Sequence, residues 1–259
     1  MISTMDPEKK SKRIFWIILS ILFPLTLWHI LSLTLDQKLL MVSPITVAVR
    51  LLTLWLEDGF FDVLWFSFGR IIGGFFLALL LGILFAIPAG KSVLIERMLK
   101  PFVLTMKSVP VASFIIILLL WLKSAQLSVF IAFLMVFPIV YTNLLQGMKS
   151  LDKNMLQMAS VFEIGLGRRI YYLYLPHLRP YLISACSVSL GMSWKAGIAA
   201  EVIGIPDGSI GDKLYYAKIY LNTADLLAWT VIVVFVSLLF EKLFLFLLNR
   251  GFSVMEGHK

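Results

Sequence analysis

Residues 63–89 read VLWFSFGRIIGGFFLALLLGILFAIPA, with Arg70 as the only charge in the run. Coiled as an α-helix, this stretch is roughly 40 Å long, more than the ~30 Å hydrocarbon core of a bilayer. A backbone in hydrocarbon has no water to satisfy its N–H and C=O groups, so a run of this kind spans as a helix. Gly74, Ala78, Gly82 and Ala86, with Gly90 just past the run, recur at every fourth position. That spacing lines one face with small side chains and predicts that another helix approaches closely there.

Five further apolar runs flank it, at residues 14–35, 102–122, 127–145, 181–200 and 226–248. The reading is an all-α integral membrane protein with about six transmembrane helices, forming a single domain over residues 1–259. Bulk composition agrees. The chain is 60% hydrophobic and 15% charged, with a mean hydropathy of +0.93, whereas soluble domains are about 45–50% apolar and about 25% charged. Residues 44–56 form a shorter apolar stretch broken by Arg50, expected as an interfacial helix. Pro24, Pro88, Pro110 and Pro138 are expected to kink or end helices, with Pro110 breaking the run at 102–122 early.

The net charge of +8 sits between the apolar runs, which is how membrane topology is written, so nucleic acid is not an expected partner. With the N-terminus inside, fourteen Lys and Arg fall in inner segments and five in outer ones. The positive-inside rule then places both termini in the cytoplasm of a multi-pass cell-membrane protein. Lys9, Lys10, Lys12 and Arg13 precede the run at 14–35, which is too long for the core of a signal peptide and is read as a retained span. The lone Cys186 excludes an internal disulfide and reads as a small core hydrophobe. His29, His177 and His258 form no HExxH pair, no metal cluster is expected, and no GxxxxGK[ST] loop occurs. An ATP-driven process would therefore need another chain.

The longest inner segment, residues 147–180, carries Leu151, Met155, Met158, Ala159, Phe162 and Leu166 at helical spacing. Gly165 and Gly167 interrupt the pattern before Leu175-Pro176. A short amphipathic helix there needs a place for its apolar face: the membrane surface, the protein's own spans, or a groove on a partner. The outer loop 205–222 holds the turn signal Pro206-Asp207-Gly208, then Tyr215, Tyr216 and Tyr220, with Asn222 or Thr223 as the cap of the final helix.

Four stretches give the chain a wider resemblance. They are Ser43-Pro44-Ile45 with Phe68-Gly69-Arg70-Ile71-Ile72-Gly73-Gly74-Phe75; Lys107-Ser108-Val109-Pro110-Val111-Ala112; residues 157–176; and Trp194-Lys195-Ala196-Gly197-Ile198-Ala199-Ala200-Glu201. On these it resembles the permeases of binding-protein-dependent ABC importers, in the nitrate/sulfonate/taurine branch. The resemblance implies a type I importer permease (MetI-like) fold, and a chain that is not itself an enzyme and binds no cofactor. It also implies a second permease copy or paralogue, an external solute-binding protein, and cytoplasmic ABC ATPase subunits that carry the ATP and Mg. The solute would be a sulfonate-, nitrate- or taurine-like anion, or a vitamin or its precursor.

The family's EAA…G…LP loop falls on residues 157–176, where its Glu-Ala-Ala corresponds to Gln157-Met158-Ala159 and its Gly to Glu163. Only Ala159 and Leu175-Pro176 match. By this resemblance Ala159, Val161, Phe162, Glu163, Gly165, Leu175 and Pro176 belong to a coupling loop that contacts the ATPase.

Ser193, Trp194, Lys195 and Glu201 are the candidate pathway residues. A lysine within a span is costly and is expected to face protein or a water-filled path. Its alternatives are a buried pairing with Glu201, six residues on, or a snorkelling head. Glu201 reads either as a gate or as a solvated helix end. Two rival classes are a stand-alone secondary carrier, which commonly shows internal repeats not found here, and an intramembrane enzyme using Ser193, for which the only intramembrane histidine is His29.

Overall fold

The structure, a computed structural model, describes residues 7–34 and 41–257. Leu35, Lys38, His258 and Lys259 lie outside the described residues, as do the side chains of Lys9, Lys10, Lys12 and Arg13. The described residues form helices α1 (Pro7–Thr34), α2 (Pro44–Leu54), α3 (Phe60–Lys91), α4 (Val93–Ser108), α5 (Val111–Leu118), α6 (Ser124–Lys149), α7 (Lys153–Val161), α8 (Leu166–Arg169), a π-helical turn (Ile170–Tyr174), α9 (Leu175–Gly204), α10 (Ile210–Ile219) and α11 (Thr223–Gly257).

Helices α3, α6 and α9 form the centre, and the small-residue stripe of α3 is its seam. A Cβ added at Gly74 would lie 2.3 Å from the carbonyl oxygen of Val129, at Gly82 2.7 Å from Val140 Cγ1, and at Gly90 2.5 Å from Met148 Cβ. The partners advance along α6 as the glycines advance along α3, so the two helices run parallel. Ala78 and Ala86 are fully buried in the same cluster as Val136, Val140 and Leu144. Tyr181 of α9 sits against Gly147 and Gly204 against Leu127, so α9 runs antiparallel to α6 and hence to α3, with Gly197 against Ile71. Cys186 is fully buried in this core, as expected of a small hydrophobe.

Two parallel neighbours require the chain to cross back between them, and the segment after α3 does so. Glu96 of α4 pairs with Lys149 at 2.5 Å, Lys107 Nζ donates to Thr142 Oγ1 at 3.3 Å, and Ile115 of α5 packs with Leu127, Ile131 and Ala200 at the opposite end. The run at 102–122 is broken at Pro110, as expected, and α4 and α5 meet there at 100°. Pro110 lacks an N–H and drives Val109 to extended backbone (φ −77°, ψ 130°). Pro24, Pro88 and Pro138, by contrast, lie within helices.

Among the described residues four helices are long and apolar enough to cross a membrane, five if the bent pair is one crossing. The expected run at 14–35 is helical through Thr34, and Leu22–Thr34 is its described apolar part. Six is thus an approximate count. Residues 44–56 form α2, capped by Ser43, whose Oγ accepts from the Thr46 N–H at 3.2 Å. Arg50 ties α2 to α11 through Asp225 and bonds Glu57 at 2.5 Å. The hydrogen bond to Asp225 raises the Arg50 pKa above its ordinary value against the opposing pull of burial, and Glu57 adds to the rise.

Candidate functional site

The helix directions gather chemistry at two ends. Lys91, Lys149, Arg168, Arg169 and Arg179 come together at one, here the basic end: Lys91 Nζ lies 5.7 Å from the Tyr174 ring centre, and Arg179 5.6 Å from that of Phe252.

At the basic end, α7 opens with Asp152, whose carboxylate accepts from the Asn154 N–H at 2.8 Å. Ala159, expected in the coupling loop, is 4% exposed and faces inward. Its carbonyl accepts from the Ile164 N–H at 3.0 Å and from Arg169 Nη2 at 2.9 Å. Arg169 Nε also donates to the Ile164 carbonyl at 2.6 Å. One guanidinium therefore clamps the turn between α7 and α8, a role the sequence reading missed.

That clamp projects apolar side chains outward. Val161 is 78% exposed, Phe162 72%, Leu166 72% and Met158 53%. Glu163 occupies the left-handed region at φ 48°, where a residue without Cβ is favoured. This is the position to which the resemblance assigns a glycine. Gly165 is exposed and caps α8. Leu175 and Pro176 are half-buried in the first turn of α9, away from the exposed apex.

At the opposite end the candidate pathway residues separate. Ser193 and Trp194 are buried: the Ser193 hydroxyl donates to the Leu190 carbonyl at 2.7 Å, and Trp194 packs with Ile71 and Ile72. Glu201 is fully buried, which overturns the solvated helix end. Its Oε2 accepts from Ser67 Oγ at 2.7 Å and from the Gly211 N–H at 3.3 Å, and Ser67 Oγ accepts from the Ile210 N–H at 2.9 Å. The carboxylate and Ser67 together satisfy the first amides of α10, where a helix leaves N–H groups unpaired and favours negative charge. Ser209 completes the cap by accepting from the Asp212 N–H at 2.9 Å.

Lys195 is exposed and shares a face of α9 with Ser184, Val188 and Met192. Six residues turn a helix by roughly 240°, so Lys195 and Glu201 point apart, and the buried pairing between them is not formed. A Cβ at Gly191, on the same face as Lys195, would meet nothing within 4 Å. This face is therefore open along its length.

The sequence is similar to those of known proteins. A family described as "binding-protein-dependent transport system inner membrane component" matches residues 78–252. The taurine transport system permease protein TauC of Escherichia coli (strain K12) is 26% identical over 220 residues, covering 83% of this chain and 80% of that protein. The putative aliphatic sulfonates transport permease protein SsuC of Bacillus subtilis (strain 168) is 27% identical, covering 87% and 82%. The nitrate import permease protein NrtB of Synechococcus elongatus is 25% identical, covering 72% and 70%. A stand-alone carrier finds no support in these likenesses. With four to five apolar helices long enough to cross a membrane among the described residues and a match over most of its length, the chain belongs to the inner membrane permease components of binding-protein-dependent ABC import systems.

Proposed function

We propose that this permease converts the closure of separate cytoplasmic ATPase subunits into alternating access, with the segment from α7 through α8 as the coupling element. The observation that carries this reading is the cluster Met158, Val161, Phe162 and Leu166, apolar yet largely exposed, on a turn held rigid by Arg169. Exposed apolar patches of this sort mark protein–protein contacts, and a clamped turn transmits a push instead of absorbing it. Val161, Phe162, Glu163 and Gly165 form the contact, Ala159 supports it from beneath, and Leu175 and Pro176 carry the displacement into α9.

The basic end is then cytoplasmic, in keeping with the positive-inside rule, and both termini lie on that side. ATP and Mg belong to the partner; this chain binds neither and catalyses no covalent step. A second copy or paralogue faces the open side of α9, where Lys195 lines the path and attracts a small anion. The relatives' names refer to taurine, aliphatic sulfonates and nitrate, all bearing anionic groups, and a solute of that class fits a path with one cation. The external binding protein meets the opposite end, where a cavity of about 200 Å³ is lined by Arg50, Glu57, Lys213, Tyr216 and Tyr220.

The test is co-purification of the ATPase with Val161→Glu and Phe162→Glu. Each is expected to lose the ATPase while the permease keeps its thermal unfolding midpoint. Full retention of the ATPase by both variants would remove the segment from the contact.

A further inference from the structure

A second cavity lies at the basic end, between α3, α6, α9, the π-helical turn and the end of α11. Its volume is about 210 Å³. Along α3 it runs from Ile83 to Lys91, and along α9 and the π-helical turn from Leu182 to Tyr174. Eight residues of helix on each wall make a slot roughly 12 Å deep. The two walls are antiparallel, so both deep residues lie within the bundle and both shallow ones at its basic end.

The lining is graded. The deep part is aliphatic, with Ile83, Ile87, Leu178 and Leu182, and Lys91 is the only charged residue of the wall. Lys91 is exposed and lies over Tyr174, while Arg179 lies over Phe252, which closes another side. Among the described ion pairs at this end, Lys149 is engaged by Glu96, and Lys91 has no carboxylate. Ile87 and Ile170 are 40% and 57% exposed, so the slot opens sideways toward the surrounding bilayer.

We infer that this slot binds one anionic phospholipid of the leaflet at the basic end, with an acyl chain between Ile83, Ile87, Leu178 and Leu182 and its phosphate at Lys91 and Arg179. An aliphatic floor with a cationic mouth matches an amphiphile that carries negative charge at one end. Basic pockets between spanning helices on the cytoplasmic side suit such headgroups. The slot is also bounded by the π-helical turn, through Ile170 and Tyr174. π-turns mark places where a helix changes register at functional sites. A chain lodged there holds the joint between α8 and α9 in one geometry. The inference takes its leaflet from the orientation proposed above, but lipid binding itself needs neither ATPase nor solute. Its failure is therefore distinguishable from failure of the transport reading.

The experiment is native mass spectrometry of the full-length chain, in detergent, titrated with phosphatidylglycerol or phosphatidylcholine of the same acyl length. One phosphatidylglycerol is expected to bind at least tenfold more tightly than phosphatidylcholine. Lys91→Gln with Arg179→Gln should abolish that preference, and Ile87→Trp, which fills the slot and leaves both cations in place, should weaken both lipids at least tenfold. Thermal unfolding checks that each variant is folded. Soluble glycerol phosphate in excess is expected not to displace the bound lipid. Equal binding of the two lipids, unchanged binding by the folded Ile87→Trp variant, or displacement by glycerol phosphate would each overturn the inference.

Discussion

Glu163 shows how a single backbone angle explains a motif position. Its φ of 48° lies where a Cβ is costly and glycine is not. Removing the side chain there is expected to stabilise the permease by about 0.5–1 kcal/mol, so Glu163→Gly should raise its thermal midpoint in detergent. A drop would mean that the carboxylate makes a compensating contact. Gly211 is the converse case, because an added Cβ would come 2.2 Å from Glu201 Cβ and 2.4 Å from its carbonyl carbon. Backbone on one side cannot give way, and Gly211→Ala should cost about 1–3 kcal/mol. Gly191→Ala, which meets nothing, should leave thermal stability unchanged. At Glu201, glutamine keeps the oxygen that accepts from Ser67 and Gly211, whereas alanine strands both donors at a cost of about 1–3 kcal/mol. Unfolding of Glu201→Gln and Glu201→Ala is thus expected to separate, with glutamine near the parent. None of these contacts was legible in the sequence. Ser67 and Glu201 are 134 positions apart, and local pattern carries no information about a pairing at that distance. The positive φ, too, was visible only through the family's glycine.

At the scale of elements, hydropathy is a local property, and most of the spans were readable from it. α3 and α6 extend past the expected runs by two to four residues at each end, and α11 by three at its start and nine at its end, because helices continue past the hydrocarbon until a cap or turn stops them. Asn222 is the cap of α11, its side-chain oxygen accepting from the Asp225 N–H at 3.2 Å. The four-residue stripe foretold a close helix contact, and the contact proved to be a parallel seam with α6. The partner and direction were beyond the stripe itself, since a smooth face fits any helix. Gly82→Leu inserts a side chain where Val140 is already 2.7 Å from a single Cβ. It should therefore separate α3 from α6 and lower the yield of folded protein in membranes far more than Gly69→Leu, whose added Cβ meets nothing. Comparable yields for the two variants would show that the seam tolerates separation. The bend between α4 and α5 was half legible: Pro110 marked the break, but the angle depends on packing against α6 and α9.

For the whole molecule, the separation of the two ends is the central feature. A rigid, apolar, exposed turn stands at the basic end, a buried carboxylate fastens α9 to α10 at the other, and the continuous α9 links them. In the proposed mechanism a push on α7 and α8 would reach the opposite end through α9, near Lys195. Lys195→Met is expected to lose most uptake of an anionic solute while ATPase assembly is preserved; normal uptake kinetics would take Lys195 out of the path. The most direct measurement is uptake by proteoliposomes that hold the permease with its ATPase and binding protein. Uptake is expected to require ATP on the ATPase side and to vanish with Phe162→Glu. Accumulation by the permease alone, driven by an ion gradient without ATP, would contradict the account.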